Sequence, residues 1–164
     1  MSPFHGKYRG IVTDNVDPEK RGRVRVSVPA VLGDGQLSWA EPCVPYGGPG
    51  VGMFAVPPVK AHVWVEFEGG DADYPILAGA LWCPDEAPAP GRAEVKVWKT
   101  EAVTITLSDL QDEGGLTIEV GSPAVSTPMK LALTSAGIEL SMGGSSVKLT
   151  AASVSINDGA LEVT

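Results

Sequence analysis

From residue 95 to residue 164 the sequence is a series of short segments in which apolar and polar residues alternate, separated by Gly, Ser, Ala and Asp. Alternation with a period of two predicts β-strands that each have one apolar face. The predicted strands are 103–107, 116–120, 131–133, 138–142, 147–149, 154–156 and 161–163. Several of them begin seven residues apart, so each repeat is one short strand and a tight turn. Such a regular step is typical of a stacked, rod-like fold.

These strands are too narrow to form a hydrophobic core within one chain. Beyond Trp98 the sequence has no Phe, Tyr, Trp, Cys, His or Arg. Each apolar face therefore offers only two or three aliphatic or methionine side chains. We expect the region to bury these faces against other copies of itself.

The composition of the whole chain predicts an all-β protein. The 164 residues include 20 Gly and 14 Pro, and no segment repeats apolar residues at the spacing of an amphipathic helix. The N-terminal residues lack the apolar segment of a signal peptide, and no apolar run is long enough to span a membrane. We therefore expect synthesis in the bacterial cytoplasm. The net charge of −8 disfavours a nucleic-acid partner.

The first half of the sequence predicts a small closed barrel. Its predicted strands are 8–13, 23–28, 38–44, 62–67 and 76–82, with a flexible stretch at 45–52. Five strands in this length are typical of a Greek-key barrel of the OB type, and closure hides strand edges. The predicted domains are an OB-fold barrel at 1–84, a linker at 85–94 and a rod at 95–164.

Two arginines at the start of the second predicted strand have two interpretations. Arg23 and Arg25 alternate with valines and so share one face of the strand. They form either a solvated strand edge or a salt-bridging contact between subunits.

The sequence predicts no catalytic site, no metal and no cofactor. His5 and His62 are the only histidines, and neither has a nucleophile nearby in sequence. The paired acidic residues lie in polar, turn-like segments that would not raise a carboxyl pKa for acid catalysis. Cys43 and Cys83 each lie beside a proline. We expect reduced thiols in a cytoplasmic product, although a disulfide between them stays open. There is no C-x-x-C motif and no cluster of Cys and His in the sequence, which disfavours zinc.

Three sequence motifs follow one another in the first half of the chain. Residues 22–29 read Gly-Arg-Val-Arg-Val-Ser-Val-Pro, 63–71 read Val-Trp-Val-Glu-Phe-Glu-Gly-Gly-Asp, and 74–79 read Tyr-Pro-Ile-Leu-Ala-Gly. This order, across about residues 8–82, resembles the OB domain of contractile-injection spikes. These spikes are the phage baseplate assembly protein V and the VgrG proteins of type VI secretion. The strands beyond residue 95 are similar in kind to the trimeric needle of the same family.

The resemblance implies an OB barrel followed by an intertwined, triple-stranded β-helix in a homotrimer. It implies a structural spike, not an enzyme, that caps the inner tube at the baseplate and pierces the target envelope when the sheath contracts. The side chains expected to form the trimer core are Val103, Ile105, Leu107, Leu116, Ile118, Val120, Leu131, Leu133, Ile138, Leu140, Met142, Val147, Leu149, Val154 and Ile156.

The resemblance also implies partners at both ends of the spike. A baseplate hub or tube protein is expected at the barrel. A small conical PAAR-type tip protein is expected to dock on Leu161, Val163 and Thr164. The target envelope would be contacted only transiently, and the protein would be a component of the assembled particle.

Two other functions stay open from the residues alone. One is a trimeric tail-fibre or adhesin-type binding protein. The other is an OB module that binds single-stranded nucleic acid, which would need basic strands with stacking aromatic residues. The residues are equally compatible with a phage tail, a tailocin, a type VI-like system or an extracellular injection system.

Overall fold

The computed structural model describes residues 3–89 and 91–163. The chain divides into two compact units, Met1–Glu86 and Ala87–Thr164. Regular structure in both is almost entirely β, apart from one helical turn, α1 (Pro29–Leu32), and a 3-10 turn at Glu68–Gly70. None of the described helices is long and apolar enough to cross a membrane.

Five strands of the first unit close into a barrel. The strands of the unit are β1 (Tyr8–Asp14), β2 (Val24–Ser27), β3 (Leu37–Pro42), β4 (Gly47–Gly48), β5 (Val51–Gly52), β6 (His62–Phe67) and β7 (Pro75–Ala80). The barrel order is β1-β2-β3-β7-β6, and β6 pairs back with β1. The β3–β7 pair is parallel, whereas the other barrel pairs are antiparallel. This is the arrangement of an OB barrel, which confirms the prediction.

Alternation along the barrel strands produces the core. In β2, Val24 and Val26 are buried while Arg25 between them is exposed. In β6, Val63, Val65 and Phe67 are buried in the same way. The complete cluster of buried residues is Val12, Val24, Val26, Val28, Ala40, Val63, Val65, Phe67 and Leu77.

The segment predicted to be flexible contains a short ribbon, β4 paired with β5. Pro49 and Gly50 form the two-residue loop between them, and Gly50 has a φ of +74°. Proline followed by glycine at positive φ is the sequence of a type II turn, so the glycines here shape a hairpin. The third and fifth barrel strands are also shorter than predicted, since they end at Pro42 and Ala80.

The second unit is one antiparallel sheet of eight strands. They are β8 (Val95–Lys99), β9 (Val103–Ser108), β10 (Gly115–Val120), β11 (Met129–Thr134), β12 (Gly137–Met142), β13 (Ser145–Leu149), β14 (Val154–Ile156) and β15 (Leu161–Val163). Their order in the sheet is their order in the chain. At about 4.8 Å per strand the sheet is about 34 Å wide. The seven predicted strands are present, and β8 is an addition.

Tight turns keep the step from strand to strand short: β11, β12 and β13 begin eight residues apart, and β14 and β15 begin seven residues apart. The β11–β12 and β12–β13 loops have two residues each, 135–136 and 143–144, as in β-hairpins. Gly143 has a φ of +57°, and Asn157 and Asp158 after β14 also have positive φ. Because each turn reverses the chain, successive strands are antiparallel. The second unit is therefore a meander, in which each repeat of one strand and one turn adds a strand to the edge of the sheet.

Candidate functional site: an exposed apolar face

The register of the eight-stranded sheet places its apolar residues on one side. Leu131 lies opposite both Ile118 and Leu140, and Leu140 lies opposite Val147. Directly opposite residues share a face of a sheet, and this relation continues from β9 to β15. We call this side the apolar face. Every residue predicted to form the trimer core lies on it, together with Trp98, which is opposite Ile105.

The apolar face is uncovered within its own chain. Leu140 is 57% exposed and Met142 is 51% exposed. Among the described residues of this unit the one buried apolar side chain is Ala132, and its register with Thr117 and Glu139 places it on the opposite side. A contiguous apolar surface of this extent marks an interaction site.

The usual relation between polarity and exposure is reversed in β12, β13 and β14. Along β12, Ile138, Leu140 and Met142 are exposed, whereas Glu139 and Ser141 between them are half-buried. β13 repeats the pattern, with Val147 and Leu149 more exposed than Lys148. The folded single chain thus leaves these apolar side chains exposed to solvent, and another chain is needed to bury them.

The opposite side of the sheet carries complementary charges, which suit contact with water. Glu119 lies across from Lys130, and Glu139 lies across from Lys148. Lys148 Nζ donates to Asp158 Oδ1 at 2.6 Å, and this hydrogen bond raises the pKa of Lys148. Opposite charges at directly paired positions stabilise a sheet modestly.

The predicted tip-docking residues lie on the last strand of the sheet. Leu161 and Val163 are exposed, and β15 pairs with β14 on one side only among the described residues. Thr164 lies outside the described residues. The loop before β15 is held by Asn157, whose side-chain oxygen accepts from the Ser146 backbone N–H at 2.9 Å. Docking at this strand stays a prediction.

The barrel unit has an exposed apolar surface of its own, along the segment between β3 and β6. We call residues 44–54 the ribbon segment, since they include β4 and β5. Phe54 is 77% exposed, and Tyr46, Val51 and Met53 are exposed as well. The Phe54 ring lies against Gly22, where an added Cβ would be 2.8 Å from Cε2. Gly22 therefore leaves room for this ring, a role that no sequence motif indicated.

Three side chains of types that bind metals meet at one end of the β6–β7 hairpin. Ligand atoms of His62, Cys83 and Glu86 all lie within 4.8 Å of one another. The sequence contains no Cys/His cluster, but the fold brings His62 and Cys83 together with Glu86. His62 and Cys83 are distant in the chain, but β6 and β7 are antiparallel neighbours, with Val63 opposite Ala80. The hairpin register was the signal that could have found the cluster.

The Glu86 carboxylate of this cluster accepts a hydrogen bond from the backbone. Its Oε2 accepts from the Cys83 N–H at 2.6 Å, and this bond, followed by the nearby His62 imidazole, lowers the pKa of Glu86. Cys43 and Cys83 are both free thiols, the first exposed and the second half-buried.

Comparison with known protein families identifies both units. Residues 8–82 match the type VI secretion system/phage-baseplate injector OB domain. Residues 94–162 match the phage baseplate V C-terminal trimerisation domain. Both families are structural components of baseplates, and together the two matches cover most of the chain. No curated protein matches the sequence. The resemblance read from the motifs is confirmed.

Proposed function

Since the chain belongs to the phage baseplate V family, as a structural component of a phage or related injection particle, we propose that it is the central spike of a contractile injection machine. The trimerisation domain supports a homotrimer. In this proposal the barrel caps the inner tube at the baseplate and the eight-stranded unit forms the piercing needle. The protein would be made in the bacterial cytoplasm before it enters the particle.

The uncovered apolar face is the observation that carries the proposal. In the proposed trimer three such faces meet on one axis, and the residues predicted to form the trimer core become buried. Full burial of an aliphatic side chain contributes about 1.5–3 kcal/mol, so a half-exposed one contributes about 1 kcal/mol on assembly. More than a dozen of these side chains per chain favour a tightly associated trimer.

Hydrogen bonding within the sheet suits a mechanical role. Each strand from β9 to β14 is paired on both sides within its own chain. A load along the needle would therefore act on a continuous ladder of backbone hydrogen bonds. The polar outer side, with its Glu–Lys pairs and threonines, keeps such a shaft compatible with water.

Two further exposed segments suggest where partners bind: the ribbon segment on the barrel, and β15, the last strand of the apolar face. We assign the ribbon segment, with exposed Tyr46 and Phe54, to the contact with the hub or tube protein. We assign β15, with exposed Leu161 and Val163, to a PAAR-type tip protein that would extend the sheet at its free edge by strand addition. The target envelope is met only when the sheath contracts.

Electron microscopy of injection particles purified from the producing cells tests the proposal. A short epitope inserted after Glu113, in the exposed loop between β9 and β10, would mark the needle for gold-labelled antibody. Label is expected at the baseplate end of the tube in extended particles and ahead of the tube in contracted ones. Label along lateral fibres would instead support the adhesin alternative. Particles without the protein would overturn the assignment.

A further inference from the structure

We propose that His62, Cys83 and Glu86 form a binding site for a divalent transition metal ion, with Zn²⁺ as the best fit. The proposal concerns the barrel and does not depend on the function of the needle. It begins with the β6–β7 hairpin. The Leu81 backbone N–H donates to the His62 carbonyl at 3.1 Å, which continues the pairing beyond the end of β7. This bond places Leu81 opposite His62, with Cys83 two residues further along the chain.

A tight turn then places two ligands together. The Glu86 backbone N–H donates to the Cys83 carbonyl at 3.2 Å, and Asp85 has a φ of +67°. With Pro84 at the second position, this is the pattern of a type II turn. Cys83 and Glu86 are the first and last residues of the turn. The Cys83 N–H also holds one oxygen of the Glu86 carboxylate, which leaves Oε1 available to His62.

The histidine nitrogen that faces the cluster lacks a hydrogen bond. His62 Nδ1 is inaccessible to solvent and lies 3.2 Å from Glu86 Oε1, but the two atoms are not aligned as a hydrogen bond. Nδ1 has no other partner among the described residues. A buried nitrogen without a partner is costly, and native structures almost always satisfy such atoms. A metal ion bound between Nδ1, Oε1 and the Cys83 sulfur would satisfy it.

The donor set selects the kind of ion. Imidazole nitrogen, thiolate sulfur and carboxylate oxygen are the three ligand types that Zn²⁺ accepts, at about 2.0–2.3 Å each. Mg²⁺ and Ca²⁺ prefer oxygen ligands and would not use the thiol. Three protein ligands leave the fourth position of a tetrahedral ion for a water molecule or another donor. The hydrogen bond from the Cys83 N–H to Glu86 is the kind of outer contact that orients a ligating carboxylate.

Such a site would fasten the turn after the last barrel strand to the start of β6. The turn lies beyond the end of β7 at Ala80, so an ion would add a link between the turn and His62. We therefore expect metal to raise the melting temperature of the barrel.

Titration of the reduced, tag-free full-length protein with Co²⁺ and then Zn²⁺ tests the site. We expect one Co²⁺ ion to bind per chain and to give an absorption band from charge transfer between the thiolate and Co²⁺. Zn²⁺ should then displace the Co²⁺ and remove this band. Cys83→Ser should abolish this absorption, while Cys43→Ser, which changes the exposed thiol, should keep it. Glu86→Gln keeps an oxygen to accept the Cys83 N–H but removes a charged ligand. It should weaken binding at least about 10-fold, since loss of even an outer partner of a ligand costs that much elsewhere. His62→Gln should weaken it similarly, with His5→Gln as its control.

Circular dichroism of the metal-free variants shows whether each still folds. A folded Cys83→Ser protein that keeps the charge-transfer absorption would overturn the proposal. So would binding that is equal in all five variants, or the absence of binding by the unaltered protein. A Cys83→Ser protein that does not fold leaves Glu86→Gln and His62→Gln to decide, since unchanged Co²⁺ affinity in both would equally exclude the site.

Discussion

The Arg23 guanidinium donates two hydrogen bonds to a single oxygen of Asp17, with Nε at 3.1 Å and Nη2 at 2.8 Å from Oδ1. Asp17 also accepts hydrogen bonds from the backbone N–H groups of Glu19, Arg21 and Arg23. Its side chain is 4% exposed and that of Arg23 is 12% exposed. This pair closes the loop between β1 and β2. Arg23 is therefore not part of a solvated strand edge, whereas Arg25 is exposed, and a contact between subunits at these arginines stays a prediction.

Asp17→Asn is expected to lower the melting temperature of the protein, because the loop loses its charged acceptor. The Arg23 guanidinium holds the pKa of Asp17 well below its ordinary value of 3.8. A depressed carboxyl pKa contributes stability that is present above the unfolded-state pKa, about 3.9, and is lost as the pH falls towards the folded-state pKa. The difference in melting temperature between wild type and variant should therefore be largest near neutral pH and should shrink below about pH 4. Asp73→Asn, at an exposed turn, serves as the control.

Ile138→Asp is expected to prevent trimer formation. The substitution would place three carboxylates together on an apolar axis, and burial of each unpaired ion costs several kcal/mol. Light scattering coupled to gel filtration measures the mass of the particle. Ser141→Asp, on the opposite side of the same strand, should leave the trimer intact. A trimer of unchanged melting temperature in Ile138→Asp would show that the apolar face does not line the axis.

Gly137→Ala is expected to destabilise the second unit by about 2 kcal/mol or more, which thermal unfolding would detect. Gly137 has a φ of +125°, and a Cβ there would collide with the Leu149 backbone carbonyl. Gly144→Ala is the matched control, because a Cβ there would meet nothing within 4 Å. Equal melting temperatures for the two variants would contradict the geometry of the β11–β12 turn.

A chain that ends at Ala89 is expected to fold into a stable barrel. The residues of its buried core, from Val12 to Leu77, all belong to the first unit. Cooperative unfolding and the dispersion of NMR signals would check this expectation. An unfolded fragment would mean that the second unit supplies part of the barrel's stability.

The double variant Leu161→Ser/Val163→Ser changes only the last strand of the apolar face, so the fifteen predicted core residues on β9 to β14 should still hold the trimer. We expect the variant to lose affinity for the tip protein of the same particle. Two exposed aliphatic side chains contribute about 1.5–3 kcal/mol each when fully buried, so the dissociation constant should rise more than 10-fold. Calorimetry with the purified tip protein measures the affinity. Glu162→Gln, between the two on the same strand, is the control. Unchanged affinity of the double variant would remove β15 from the docking surface.

Strand periodicity predicted the parts of the fold that depend on one face being buried. Val24 and Val26 alternate with arginines, and Ile138, Leu140 and Met142 alternate with Glu139 and Ser141. A period of two assigns each residue to a face without knowledge of the partner strand. The apolar face was therefore predictable, including its lack of cover within the chain.

Features that depend on which strands become neighbours were not predictable in this way. The meeting of His62 with Cys83 depends on the register of the β6–β7 hairpin, and a sequence pattern shows only residues close in the chain. The place of Phe54 against Gly22 depends on the course of the ribbon segment across the barrel. β8 was missed because Lys96 shares the apolar face with Trp98, which weakens the alternation there.

The meander makes the second unit a molecular ruler. Each additional strand and its turn adds about 4.8 Å across the sheet, whatever the side chains on it. The distance from β8 to β15 is thus set by the number of repeats, and natural variation in that number would change reach without altering the cross-section. Insertion of one whole hairpin would lengthen the unit by about 10 Å and return the chain to its original direction.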